Sequence, residues 1–230
     1  MYQINDFSQR EQLDQALANK VATLLTTAVN TKGKASIAVS GGSTPKGFFT
    51  ALSHMDLSWS NITITLADER WVDFDSDASN TRLVHENLLQ NKAAAAKFFH
   101  LKQGAELSAE TLADLNIAAQ SILLPLDVLI LGMGEDGHTA SLFPCSEQID
   151  QCLASDTASL LRVVPKTAPN ERISFSFASL KQSENVFLHI SGAAKKTVLN
   201  KALADTNIKE MPIRAFLQDP EINTQVFWAE

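Results

Sequence analysis

The feature that most constrains this chain is a repeated change of period. Ala35–Val39 (ASIAV) is a short apolar run that ends in SGGSTP and gives way to helical spacing through Phe48, Phe49 and Leu52. Residues 61–66 (NITITL) and 172–177 (RISFSF) alternate with period two, residues 126–131 (LDVLIL) are apolar but for Asp127, as strands buried on both faces are, and residues 186–190 (VFLHI) add a further strand. Helical spacing lies between them. Leu13, Leu17, Val21, Leu24 and Ala28 mark one face of a long helix bounded by Ser8 as a candidate cap and by Asn30 and Gly33 at its end. Further helical patterns cover residues 81–89, 109–123 and Ala193–Leu203. Strands alternating with helices predict an α/β fold, a mostly parallel sheet with helices on both faces. No repeat, linker or low-complexity tract interrupts the pattern, so residues 1–230 read as a single domain.

In sheets of this kind ligands bind beyond the carboxyl ends of the strands. Four such ends here carry concentrated polar chemistry. The first, SGGSTP, sets Gly41 and Gly42 where the chain turns sharply, followed by Ser43, Thr44 and Pro45 at the start of the next helix. Thr44 can cap that helix and Pro45 suits its first position. Hydroxyls and backbone N–H groups at a helix N-terminus form an anion site, most naturally for phosphate, although an ordinary glycine turn with a cap would read the same way. The segment is neither GxGxxG nor a P-loop, so a nucleotide is not its first meaning.

The second end, ADERW, brings Asp68, Glu69 and Arg70 together. Arginine forks onto phosphate, and the carboxylates can hold that arginine or accept from sugar hydroxyls; alone, the cluster equally describes a solvated strand end. Arg172, opening RISFSF, and Lys195, after Gly192 in SGAAKK, are further basic candidates. The remaining cluster, GMGEDGHT, has glycines at 132, 134 and 137 that let the backbone wrap close to a ligand, with His138 beside Asp136 at the expected entrance to a short helix. A histidine with a carboxylate partner is the default proton shuttle, the carboxylate fixing its tautomer. His54, His85, His100 and His189 lack that setting and read as packed or exposed side chains. Ser40 lies inside the glycine loop, no GxSxG elbow is present, and no metal constellation of the HExxH or clustered-cysteine kind occurs, which leaves water as the nucleophile of choice.

Composition narrows the partners. Of 230 residues 45% are hydrophobic and 20% charged, with a net charge of −7 spread along the chain. That field disfavours nucleic acid or an anionic membrane, yet a few local donors can still hold a small anion at short range. Cys145 and Cys152 form no disulfide framework, the N-terminus lacks the form of a signal peptide, and no run reaches the roughly 20 apolar residues of a membrane helix. The expectation is a cytoplasmic protein, with its oligomeric state left open.

SGGSTP, ADERWV followed by Ser79 and Asn80, LGMGEDGHTASLFP and SGAAKK, in this order, resemble the 6-phosphogluconolactonases. The resemblance runs over about the whole chain and is most specific at DGHTASLFP; one departure is Thr81, where that family often has an aromatic residue. It implies a Rossmann-like sheet of the sugar-phosphate isomerase/deaminase type, without nucleotide cofactor or metal. The implied activity is hydrolysis of 6-phospho-D-glucono-1,5-lactone in the oxidative pentose phosphate pathway. Carried over by position, Gly41, Gly42, Ser43, Thr44, Arg70 and Lys195 would hold the 6-phosphate, His138 would be the base, and Asp68 or Asp136 would orient it. Asn80, Gly134 and Arg172 would be further substrate contacts. The chemistry agrees: a lactone is an activated ester, so water, a base and oxyanion stabilisation suffice. The rival readings are a glucosamine-6-phosphate deaminase or related isomerase, whose GHIAFNEP differs from GHTASLFP here, and a non-catalytic sugar-phosphate sensor.

Overall fold

The computed structural model describes residues 2–230. The strands are β1 (Tyr2–Phe7), β2 (Ala35–Val39), β3 (Ile62–Leu66), β4 (Asp68–Arg70), β5 (Lys97–Phe98), β6 (Val128–Leu131), β7 (Leu160–Val163), β8 (Arg172–Phe175), β9 (Val186–Ser191) and β10 (Thr224–Ala229). The α-helices are α1 (Arg10–Lys32), α2 (Lys46–Ser53), α3 (Asn80–Asn87), α4 (Ala109–Ile122), α5 (Ile149–Leu153), α6 (Phe177–Leu180), α7 (Ala193–Leu203) and α8 (Ile213–Gln218).

Seven strands form one sheet in the order β1-β10-β9-β6-β2-β3-β5, every neighbouring pair parallel. The three central strands β2, β6 and β9 are buried along almost their whole length, because helices cover both faces of a parallel sheet and leave no solvent side. Leu13, Leu17, Val21, Leu25 and Ala28 bury one stripe of α1, and each fully buried leucine there contributes about 1.5–3 kcal/mol relative to exposure. Gly33 ends the helix in the left-handed conformation and its N–H bonds the Val29 carbonyl.

Three expectations change. The alternating RISFSF segment does form a strand, but not in the parallel sheet: β8 pairs antiparallel with both β4 and β7 in a separate three-stranded sheet. Period two reports extended backbone and cannot say which sheet receives it. Ser8 does not cap α1; Gln9 occupies that position and the Ser8 hydroxyl bonds the Gln12 side chain at 3.1 Å. Thr44 does not cap α2 either, since Pro45 stands between it and the helix and no side-chain cap bond forms.

Candidate active site

Chain order reverses between β2 and β6: the strands that follow β2 build outward on one side, and β6 starts the other side. Such a reversal opens a crevice above the carboxyl ends of the two strands. The loop after β2 (SGGSTP) and the loop after β6 (GMGEDGHT) are its two banks, and the Ser40 hydroxyl ties them together, donating to the Ile130 carbonyl and accepting from the Gly132 N–H, each at 3.0 Å. With both its donor and an acceptor position used, Ser40 is a structural bridge rather than a nucleophile.

Two adjoining recesses occupy the crevice and share Ser40, Gly41, Gly42, Gly132 and Met133 as a common wall. The larger, about 320 Å³, is lined further by Asp68, Arg70, Asn80, Gly134, His138, Phe143 and Arg172. The smaller, about 240 Å³, is lined by Ser43, Thr44, His189 and Lys195 among others.

In the larger recess, His138 Nδ1 lies 2.5 Å from Asp136 Oδ1, which also accepts the His138 backbone N–H at 3.1 Å. A carboxylate at Nδ1 holds the proton there and leaves Nε2 with a free lone pair. Burial alone would raise the Asp136 carboxyl, but its hydrogen bonds with His138 outweigh that and hold it below the usual carboxylate range. His138 does not open a helix as expected. It sits on an irregular turn in which Gly134 N–H bonds the His138 carbonyl at 2.8 Å, and Thr139 and Leu142 form an isolated bridge. A Cβ on Gly134 would fall 2.1 Å from His138 Nδ1, so glycine is what lets the imidazole fold back over this turn.

Another part of the lining comes from the antiparallel sheet. Arg70 on β4 is paired with Arg172 on β8, which sets both guanidinium-bearing side chains on one face. Each donates to one backbone carbonyl, Arg70 to Ala78 at 2.6 Å and Arg172 to Pro169 at 3.1 Å. Burial lowers the Arg172 pKa from its ordinary value, against the opposing charge of Asp68 and together with that of Arg70. Asp68 is buried and its Oδ2 accepts from the Ser141 hydroxyl at 2.5 Å. Glu69 turns away from the cleft. Its carboxylate accepts the backbone N–H groups of Arg70, Asn80 and Thr81, capping α3 in place of solvent. Burial nonetheless lifts its carboxyl above the ordinary range.

In the smaller recess the Lys195 ammonium donates to the Met133 carbonyl at 2.8 Å. Behind the glycine loop, Arg10 at the start of α1 donates to the carbonyls of Ser43 and Thr44 at 3.1 and 2.8 Å, pulling the loop's acceptors away from the recess. Every site residue predicted from sequence lines one or other recess except Asp136, which stands just behind, on His138. Asn80 lines the cleft while donating to the Asp68 carbonyl at 3.1 Å. The grouping differs from expectation: Arg70 lies with Arg172 and His138, apart from Lys195, because β4 leaves the parallel sheet directly after β3. Sequence reasoning missed Arg10, the Ser141 contact to Asp68, and His189, which faces Asp14 across 3.2 Å. Only Ser141, inside the DGHTASLFP string, stood in a segment that drew attention.

Fold and site together define an α/β protein with a carboxylate-oriented histidine in a cleft lined by basic groups. The family model for glucosamine-6-phosphate isomerases/6-phosphogluconolactonase matches residues 8–228, and the chain belongs to that family. It is 43% identical to the 6-phosphogluconolactonase of Rhizobium meliloti over 97% of both chains, and 41% identical to that of Neisseria meningitidis over the full length of both. The crystal structure of a 6-phosphogluconolactonase from Shewanella baltica superimposes with a TM-score of 0.95 at 43% identity, covering 100% of this chain and 98% of the other. A monomeric glucosamine-6-phosphate deaminase, 18% identical with a TM-score of 0.80 over 97% of this chain and 96% of its own, shares the fold.

Proposed function

We infer that this protein hydrolyses 6-phospho-D-glucono-1,5-lactone to 6-phosphogluconate, the lactonase step of the oxidative pentose phosphate pathway. The observation that carries the mechanism is the His138–Asp136 pair, which leaves Nε2 free in a cleft lined also by two arginines. Water bound at Nε2 gives its proton to the imidazole as it attacks C1 of the lactone. The carbonyl oxygen becomes an oxyanion, for which Arg70 and Arg172 supply positive charge already fixed in place. As the tetrahedral intermediate collapses, the C1–O5 bond breaks and the imidazolium returns the proton to O5, giving a 5-hydroxyl and a carboxylic acid that then loses its proton to solvent.

The phosphate is assigned to the smaller recess, where Gly41, Gly42, Ser43, Thr44 and Lys195 supply backbone donors, hydroxyls and an ammonium, and the reacting end to the adjoining recess lined by His138. Assigning Arg70 to the lactone end rather than the phosphate follows from its pairing with Arg172. Asp68, fixed by Ser141, is suited to accept from a ring hydroxyl. Binding the phosphate far from C1 turns its interaction energy into positioning.

The test is turnover of freshly prepared 6-phosphogluconolactone, followed by acid release and corrected for spontaneous hydrolysis, beside an assay of ammonia release from glucosamine 6-phosphate. Enzymatic acid release without ammonia supports the reading. Ammonia release without lactone turnover replaces it with the deaminase.

A further inference from the structure

The strongest unexplained feature lies under the phosphate recess. His189 on β9 is 3% exposed and lines that recess, and neither ring nitrogen has a hydrogen-bond partner. Asp14 on α1, 6% exposed, faces it with Oδ1 3.2 Å from Nε2, and that oxygen is also without a hydrogen bond. Buried polar atoms are nearly always partnered, so three orphaned atoms at one point call for a cause.

Their position supplies one. Asp14 follows Arg10, the residue that holds the phosphate loop, by one turn of α1. A Cβ on Gly47, in the first turn of α2, would lie 2.0 Å from Asp14 Oδ2, so this helix too is built around the carboxylate. His189 lies on the strand that runs through Gly192 into α7 and Lys195. One buried pair therefore touches all three elements that frame the recess.

We propose that His189 and Asp14 are positioning residues for the substrate phosphate: an ion pair in the floor of the recess, its positive end toward the anion, that selects for phosphorylated substrate. His189 lines the recess and Asp14 does not, which fixes the polarity. The ring nitrogens are sealed from solvent, so the pair acts through space, where a low-dielectric floor transmits its field well. The other groups around His189 do not compete. Phe48 of α2 meets its ring edge-on at 5.9 Å, its partner on β10 is Phe227, and the charged residue that α7 contributes to the recess is Lys195.

The inference rests on the phosphate occupying this recess, and the experiment separates the two. His189→Gln and Asp14→Asn keep size and remove charge. Each is expected to raise KM for the phosphorylated lactone, and Ki for inorganic phosphate, about 5- to 20-fold, with kcat little changed and kcat/KM for unphosphorylated glucono-1,5-lactone unaltered. Lys195→Ala serves as the control. If it raises KM while the other two folded variants match wild type, the His189–Asp14 role is overturned and the recess stands; if Lys195→Ala also leaves KM unchanged, the recess itself is wrong. Should both substitutions unfold the protein, ring-¹⁵N histidine spectra of the wild type decide, with His189 assigned by substituting His54, His85, His100 and His138 in turn. At saturating inorganic phosphate the His189 signals are expected to show the imidazolium pattern, and a neutral-imidazole pattern there overturns the proposal.

Discussion

Arg70 and Arg172 stand directly opposite each other in the antiparallel β4–β8 ladder, and the Nε of each is buried without a hydrogen-bond partner. Like charges so placed repel, and burial weakens their solvation, so the arrangement costs stability in the free protein; the Asp68 and Glu69 carboxylates offset part of that cost, and an arriving anion offsets more. The small antiparallel sheet brings that positive pair over the crevice opened by the large parallel one.

Arg172→Gln tests this arrangement. Removing one charge is expected to lower kcat about 10- to 100-fold, because a developing oxyanion loses a fixed partner, while Tm does not fall. Steady-state kinetics with a thermal melt reads both, and a lower Tm with unchanged kcat would make the arginine structural.

His138→Ala is expected to reduce kcat by roughly 10²- to 10⁴-fold with little change in KM. In the wild type kcat/KM falls on the acid side, since a protonated imidazole cannot accept a proton from water, and that limb disappears in the variant. Asp136→Asn keeps the fold and loses the carboxylate that fixes the tautomer, so kcat drops again. Asp136 is held below the ordinary carboxylate range, chiefly by its hydrogen bonds with His138 against the effect of burial, so it is the ionised carboxylate that the substitution removes. A folded His138→Ala protein with wild-type kcat would refute the mechanism.

Gly134→Ala offers a backbone test of the same site. The added Cβ meets His138 Nδ1 at 2.1 Å and Asp136 Oδ1 at 2.7 Å, so the pair is pushed apart. The expected protein melts within a few degrees of wild type, binds inorganic phosphate normally and turns over poorly. Full activity would show that the His138–Asp136 contact is dispensable.

A separate prediction concerns stability. His85 packs against Phe74, Phe98 and His100, away from the cleft, as its helix position suggested. Burial lowers the pKa of His85, and burial together with the charge of His85 lowers that of His100. A histidine with a lowered folded pKa favours the unfolded chain once protons bind: stability is full above the unfolded value of about 6.5 and is lost as pH falls from there through the depressed folded values. Tm should decline between about pH 7 and pH 5, and His85→Phe should flatten that decline. An equal slope in the variant would assign the acid sensitivity elsewhere.

Much of this protein was legible before folding. The alternation of strand and helix periods determined the parallel sheet, because one residue's spacing to the next decides which side of an element can be buried. The glycines, His138 beside Asp136, and the acidic and basic residues after β3 all lie within a few residues of a strand end, so local spacing also placed them on the ligand side of the sheet. Tertiary structure alone decided the rest. Arg70 and Arg172 are 102 positions apart, and their pairing depends on a strand leaving one sheet for another. His189 reads from sequence only as a packed or exposed side chain, because its acid, Asp14, lies on a helix 175 positions earlier. Periodicity describes each segment against its own neighbours; which segments meet is fixed only when burial of the shared core brings them together, and that core gathers residues from Leu13 to Ala229.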